Sequence, residues 1–258
     1  MRAIRDLIIL IAVFAGIWWL FVVIKPSSKM PELSLSEQQE EKLSTLIIDN
    51  IRLEYREVQD SATLAVVNLM SNHLVETLDS ANYEFKFHVL DTEEVNAFAT
   101  LDNHIFIFKG LIDFCENEKE LAAVIAHEMG HLVHEHVGKK LIEEIGFSVL
   151  IAIVTNGDPN LITQVSKLLV TSKFSRAFES EADRFACELL IKSGIKPANL
   201  ASFFLRLKIN QESAFNDKMN FLMSHPSHEE RIEDVMNYPL PHDFEEKNFE
   251  IIWQQEVT

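Results

Sequence analysis

Basic residues are scarce in this 258-residue chain, where 23 lysines and arginines stand against 40 aspartates and glutamates for a formal net charge of −17. Phosphate recognition needs clustered Lys and Arg, so this balance argues against nucleic acid as a partner and mostly reflects solubility. Cysteine is nearly absent. Cys115 and Cys187 are far apart, form no CxxC pair, and neither follows the N-terminal apolar run as a lipid-attachment site would. Two buried free thiols are expected. No internal repeat is present, and 47% hydrophobic residues suffice for one substantial core, so one main domain with a small appendage is expected.

Long apolar runs are also few. The longest, Leu7 to Ile24, has 18 residues without a charge, enough to cross a hydrocarbon layer of about 30 Å as a helix. Arg2 and Arg5 precede it and Lys25 and Lys29 follow it. The N-terminus is expected inside and the rest of the chain on the extracytoplasmic, periplasmic side. A cleaved signal peptide releasing a periplasmic protein is the alternative, but the run is long for one and no clear small-x-small site follows. The organisation expected is an anchor over 1–24, a polar linker over 25–41 containing Pro26 and Pro31, a main domain over 42–240 and a tail over 241–258.

Within the domain, Leu43 to Leu78 has apolar positions at helical spacing, which predicts one or two helices. From Tyr83 to Phe108 the period changes to two, predicting strands around Phe85 to Val89, Val95 to Leu101 and His104 to Phe108, with Asp102-Asn103 as a tight turn. Helical patterning then resumes, with Asn117 or Glu118 as a start and Gly138 near a possible end. Ile145 to Val154 is too short to span a membrane and reads as a core or membrane-resting helix. Asn156-Gly157-Asp158-Pro159 breaks the chain; Gly194 and Pro197 stop and restart it.

The chemistry sits in His127-Glu128-Met129-Gly130-His131, which follows the apolar run Glu120 to Ala126. Histidines four apart on a helix share a face and can grip one metal ion. Two neutral imidazoles beside a carboxylate suit Zn²⁺ with an open position, where a water is acidified and Glu128 removes its proton. The motif alone also occurs by chance on ordinary amphipathic helices. A further ligand is needed. HExxHxxGxxH is excluded, because His134 stands where its glycine belongs and Val137 where its third histidine belongs. Glu179-Ser180-Glu181-Ala182-Asp183 places Glu179 and Asp183 one turn apart, so Glu179 can bind the metal while Asp183 accepts a hydrogen bond from the far nitrogen of a ligating imidazole. On its own, such a run reads as a solvated helix face. Glu181, offset by two positions, is expected to point elsewhere. His134 lies two turns from His127, too far to share its ion, and both His134 and His136 read as structural or exposed. Phe203-Phe204 reads as core and His228 as surface.

In order along the chain, Val95-Asn96-Ala97-Phe98, the His127 to His131 motif, Glu179 to Asp183, and Ser224-His225-Pro226-Ser227 followed by Arg231 resemble the membrane-associated zinc metallopeptidases. These include the CAAX prenyl endopeptidases, the HtpX heat-shock proteases and related bacterial periplasmic quality-control enzymes. The resemblance covers about residues 83 to 236. It implies one Zn²⁺ per chain held by His127, His131 and Glu179, chosen over Glu181 as the first glutamate of the run, with Glu128 as catalytic base and Asp183 behind a ligand. It implies an α+β, mainly helical, zincin-like (gluzincin) domain with a small sheet beside the active-site helix, plus the transmembrane helix. His225, extended before a proline, can stabilise an oxyanion or fill the open metal position, and Arg231 can assist by a charge-assisted hydrogen bond. The strand at Asn96, Ala97 and Phe98 can take an extended substrate at its edge.

The expectation is therefore a zinc endopeptidase acting on protein substrates, including misfolded ones, in quality control beside a membrane. A proteolytically quiet chaperone or adaptor using the same cleft is the alternative; a purely structural zinc site would have no use for Glu128. CAAX processing is not supported, since those relatives enclose the site with many membrane spans and this chain offers one.

Overall fold

Local chemistry starts each of the first helices. The Ser36 hydroxyl accepts a hydrogen bond from the Gln39 main-chain N–H while the Ser36 N–H donates to the Gln39 side-chain oxygen, and this capping box begins helix α1 (Glu37–Glu54). The last residues of the stretch read as a linker, 37–41, are thus helical. Leu43, Ile47 and Ile51 repeat at one-turn spacing and are buried. Asp60 caps α2 (Ser61–Thr77) through the Thr63 amide.

The computed structural model describes residues 34–78, 83–171, 173–213, 220–226 and 229–249, with Phe14, Gly16 and Trp19. The anchor expected over Leu7 to Ile24 lies outside the described residues but for those three. Among the described residues no helix is long and apolar enough to cross a membrane. Met1–Ser34 and Leu35–Thr258 are separate units, and the elements below belong to the second.

Three strands follow α2: β1 (Lys86–Leu90), β2 (Ala97–Thr100) and β3 (His104–Phe108), in the order β1-β3-β2. The β2–β3 hairpin is antiparallel, and its Asp102 and Asn103 both take positive φ, 55° and 59°, as a type I′ turn requires. β1 instead pairs parallel to β3, Lys86 opposite His104 and Leu90 opposite Phe108.

After α3 (Lys109–Phe114), Asn117 caps α4 (Glu118–Val133) by accepting from the Lys119 and Glu120 amides. Every residue from Glu120 to Leu132 is buried, which makes α4 the central helix of the core. It ends at Val133, before the expected Gly138, because Glu135 adopts the left-handed conformation at φ 56° and turns the chain into α5 (His136–Ile145). α6 (Phe147–Asn156) buries Leu150, Ile153 and Val154, and α7 (Pro159–Thr171) follows the expected break. α8 (Arg176–Lys192) stops at Gly194, φ 72°. α9 (Ala198–Ser213), a single turn α10 (Phe221–Ser224) and α11 (Glu229–Met236) complete the described helices. Part of the expected tail is docked: the Lys247 amide donates to the Gly194 carbonyl at 2.8 Å, and Lys119 pairs with Glu246 at 2.8 Å.

Candidate metal centre

The site forms where α4 and α8 touch, and a glycine permits that approach. A Cβ built on Gly130 would lie 2.9 Å from the Ala182 Cα, inside any normal contact. Glycine at the fourth position of the metal motif therefore lets Glu179 and Asp183, on either side of Ala182 in α8, come level with His127 and His131 on α4. All four are buried.

His127, His131, Glu179 and His225 each offer one donor atom, and the four donors lie within 4.8 Å of one another. His127 Nε2 is 3.2 Å from His131 Nε2, 3.3 Å from His225 Nδ1 and 3.6 Å from Glu179 Oε2. Glu179 Oε1 is 3.0 Å from His225 Nδ1 and 3.7 Å from His131 Nε2. Four donors at bonds of about 2.0–2.1 Å from a tetrahedral zinc ion would be about 3.3–3.4 Å apart, so these separations fit such an ion. The donor chemistry fits too, because imidazole nitrogens and a carboxylate oxygen are the ligands that Zn²⁺ takes.

The charges around the cluster agree with this use. Burial drives the imidazoles of His127, His131 and His225 toward the neutral form that ligates. Burial also raises Glu179, with the Arg231 guanidinium opposing it. Asp183 is held at about 2: burial works against its charge, but hydrogen bonds from Arg231 and His127 prevail. Glu128 is pushed up to about 8 by burial and by the Glu179 charge, with the Ala99 N–H opposing them. A bound cation would draw this carboxyl back toward ionisation.

The other sequence candidates fall into two groups. Asp183 Oδ1 lies 3.0 Å from His127 Nδ1, as expected. Arg231 points inward: its Nε and Nη2 hold Asp183 at 2.6 and 2.8 Å, its Nη1 reaches Glu179 at 2.6 Å, and the same nitrogen donates to the Pro226 carbonyl at 2.9 Å. It braces two carboxylates and the loop carrying His225. His225 Nε2 approaches Glu128 Oε1 at 3.4 Å. In contrast, the side chains of Asn96, Ala97 and Phe98 are buried: Asn96 donates to the Val170 carbonyl on α7 and Phe98 stacks on Phe106 at 5.2 Å. The substrate edge expected here is a matter of main chain rather than side chains. The Phe108 amide donates to the Asn96 carbonyl, so residues 98 and 100 also bond toward β3 while Ala97 and Ala99 turn their main-chain groups outward. The Ala99 N–H favours the ionised form of Glu128.

Of the two readings open for His136, structural or exposed, the structure shows the first: it is buried, with Nδ1 3.1 Å from His131 Nδ1, and Glu181, outside the donor cluster as expected, places its Oε2 3.0 Å from His136 Nε2. Helical spacing could not reveal this, since the five-residue step from His131 to His136 closes only through the turn at Glu135. Aromatic rings fill the remaining space, Phe174 stacked on His131 at 4.0 Å and Phe221 on His225 at 4.6 Å. Lys140 lies over the outer Phe174 ring at 3.9 Å, its ammonium lowered to about 8 chiefly by burial.

The family model of Peptidase family M48 matches residues 63–238. Metalloprotease LoiP of Escherichia coli is 30% identical over 197 residues, covering 69% of this chain and 74% of that protein. The beta-barrel assembly-enhancing protease of Yersinia pestis is 25% identical over 212 residues, 77% of this chain and 43% of that one. A mitochondrial metalloendopeptidase of Arabidopsis thaliana is 31% identical over 144 residues, 55% of this chain and 29% of its own length. The chain thus spans less than half the length of the beta-barrel assembly-enhancing protease and about three quarters of LoiP.

Proposed function

This chain belongs to Peptidase family M48, and from that premise we propose that it is a zinc-dependent endopeptidase of the gluzincin kind, acting on protein substrates in quality control beside a membrane. The observation that carries the reading is the convergence of His127, His131 and Glu179 on one point with the buried Glu128 carboxylate on the same helix as the two histidines. One zinc ion held there would polarise the scissile carbonyl and acidify a water. Glu128 takes a proton from the attacking water as its oxygen bonds the carbonyl carbon, and returns that proton to the amine nitrogen as the C–N bond breaks. The carboxyl must be ionised to begin, which the positive charge of the loaded site favours. Asp183, charged and braced by Arg231, keeps the His127 Nδ1 proton in place so that Nε2 faces the ion. An extended substrate pairs with the outward main chain of Ala97 and Ala99.

His225 is the gate in this reading. Its Nδ1 fills the fourth corner of the donor set while its ring lies next to Glu128, where the attacking water must stand. Substrate entry therefore requires the Ser224 to Pro226 turn to withdraw, after which His225 is placed to stabilise the oxyanion. The domain is assigned to 42–240, with the apolar N-terminal run as a membrane anchor and the catalytic unit on the extracytoplasmic side. Quality control rests on the family resemblance and is in keeping with a relative named for enhancing beta-barrel assembly.

Casein digestion by the purified, zinc-loaded chain tests the function. New peptide termini with wild type and none with Glu128→Gln, at equal zinc content, are expected; equal cleavage by both defeats the mechanism. The closed position of His225 favours one rival, a quiet adaptor, and protection of an unfolded client by both proteins without cleavage would select it.

A further inference from the structure

The two helical histidines are held from behind in different ways. His127 has Asp183, which is itself bound by Arg231. Among the described residues His131 has no carboxylate at its Nδ1; it has the Nδ1 of a second buried imidazole, His136, at 3.1 Å. Beyond that ring, Glu181 Oε2 closes the line at 3.0 Å from His136 Nε2. Phe178 stacks on the His136 ring at 4.2 Å and 11°, holding its plane.

Only one proton arrangement satisfies every group. His131 Nε2 faces the other donors and must offer a lone pair, so its proton is on Nδ1 and is donated to His136 Nδ1. His136 then carries its own proton on Nε2 and donates it to the Glu181 carboxylate. We propose that His136 and Glu181 are a positioning pair that fixes the tautomer and ring orientation of His131, as Asp183 and Arg231 do for His127. The inference rests on the zinc reading above. α8 would in this way serve the centre three times within five residues: Glu179 as a ligand, Asp183 behind one imidazole and Glu181, through His136, behind the other.

The left-handed turn at Glu135 is what makes the pair possible, because it folds α5 back so that its first residue meets the last turn of α4. Glu181 is half exposed whereas Asp183 is buried. Solvent screens the outer end of the line, and the imidazole that touches His131 should matter more than the carboxylate behind it.

Zinc affinity of the full chain, measured by chelator competition, tests the pair without reference to catalysis. Loss of a partner behind a metal-ligating histidine typically weakens metal binding by about 10–100-fold. His136→Leu is expected to fall in that range. His136→Asn, which keeps an acceptor near the Nδ1 position, should recover part of it, and Glu181→Gln should lose least. Melting of each variant under chelator separates this from loss of fold, and a shifted visible spectrum in the cobalt-loaded His136 variants reports the altered His131 environment. Wild-type affinity and an unshifted spectrum in His136→Leu would overturn the pair while leaving the zinc reading intact. Absence of stoichiometric zinc in wild type would overturn both.

Discussion

Two groups of histidines lie in this domain, and they solve different problems. On the sheet, His88 and His104 stack at 5.1 Å and share a hydrogen bond of 2.8 Å, with Glu57 3.4 Å beyond one ring and Asp102 3.6 Å beyond the other. In the core, His127, His131 and His225 turn nitrogens toward one another with Glu179 among them. The first group is a line of two rings between two carboxylates; the second turns four donor atoms on four buried side chains toward one point. Convergence under burial, rather than the number of histidines, marks the place for a cation.

That contrast can be broken most forcefully at the core group. Glu128→Gln should lower kcat by roughly 10²–10⁴-fold, the usual contribution of a general acid–base, with bound zinc retained. His127→Ala should lose the metal outright; stoichiometric zinc surviving dialysis there would remove it from the ligand set. Gly130→Ala comes next. Its methyl group would meet the Ala182 backbone, and overpacking of this kind costs about 1–3 kcal/mol, so thermal unfolding should come earlier and zinc affinity should drop with it. A variant as stable as wild type would show that the two helices have room to part.

The pH dependences of the two groups should have opposite signs. In chelator-treated protein Glu128 keeps its proton up to about 8, whereas its ordinary value is 4.5. Its contribution to stability is complete below about 4.5 and is lost as pH rises through about 8. His104 is lowered from 6.5 to about 4, mainly by burial, so its contribution is complete above about 6.5 and is lost as pH falls through about 4. Each slope is at most about 1.4 kcal/mol per pH unit. Denaturant unfolding across pH should show Glu128→Gln removing the alkaline loss and His104→Gln the acid one; slopes of one sign in both would contradict the assignment. The smallest effect is expected at His88→Gln, which should leave zinc content unchanged, and a lost equivalent of zinc would tie the sheet pair to the metal.

Much of this was legible because it follows a period. The four-residue step puts His127 over His131, the two-residue period marks the strands, and Asp102-Asn103 names its own turn. Glu179 and Asp183 needed the ordered family pattern, since three carboxylates in five residues otherwise describe a wet helix. What escaped depends on how elements meet. The parallel pairing of β1 with β3 is set by packing across the sheet, and so is the contact of the Asn96 side chain with the Val170 carbonyl on α7. His136 escaped because a single left-handed residue, Glu135, replaces the helical period with a corner.

X-ray absorption at the zinc edge of the resting full chain tests the central claim most directly, because it counts imidazoles around the ion. Three are predicted, from His127, His131 and His225, together with oxygen from Glu179, and His225→Ala should reduce the count to two. A sulfur ligand, or an imidazole count unchanged by that substitution, would contradict it.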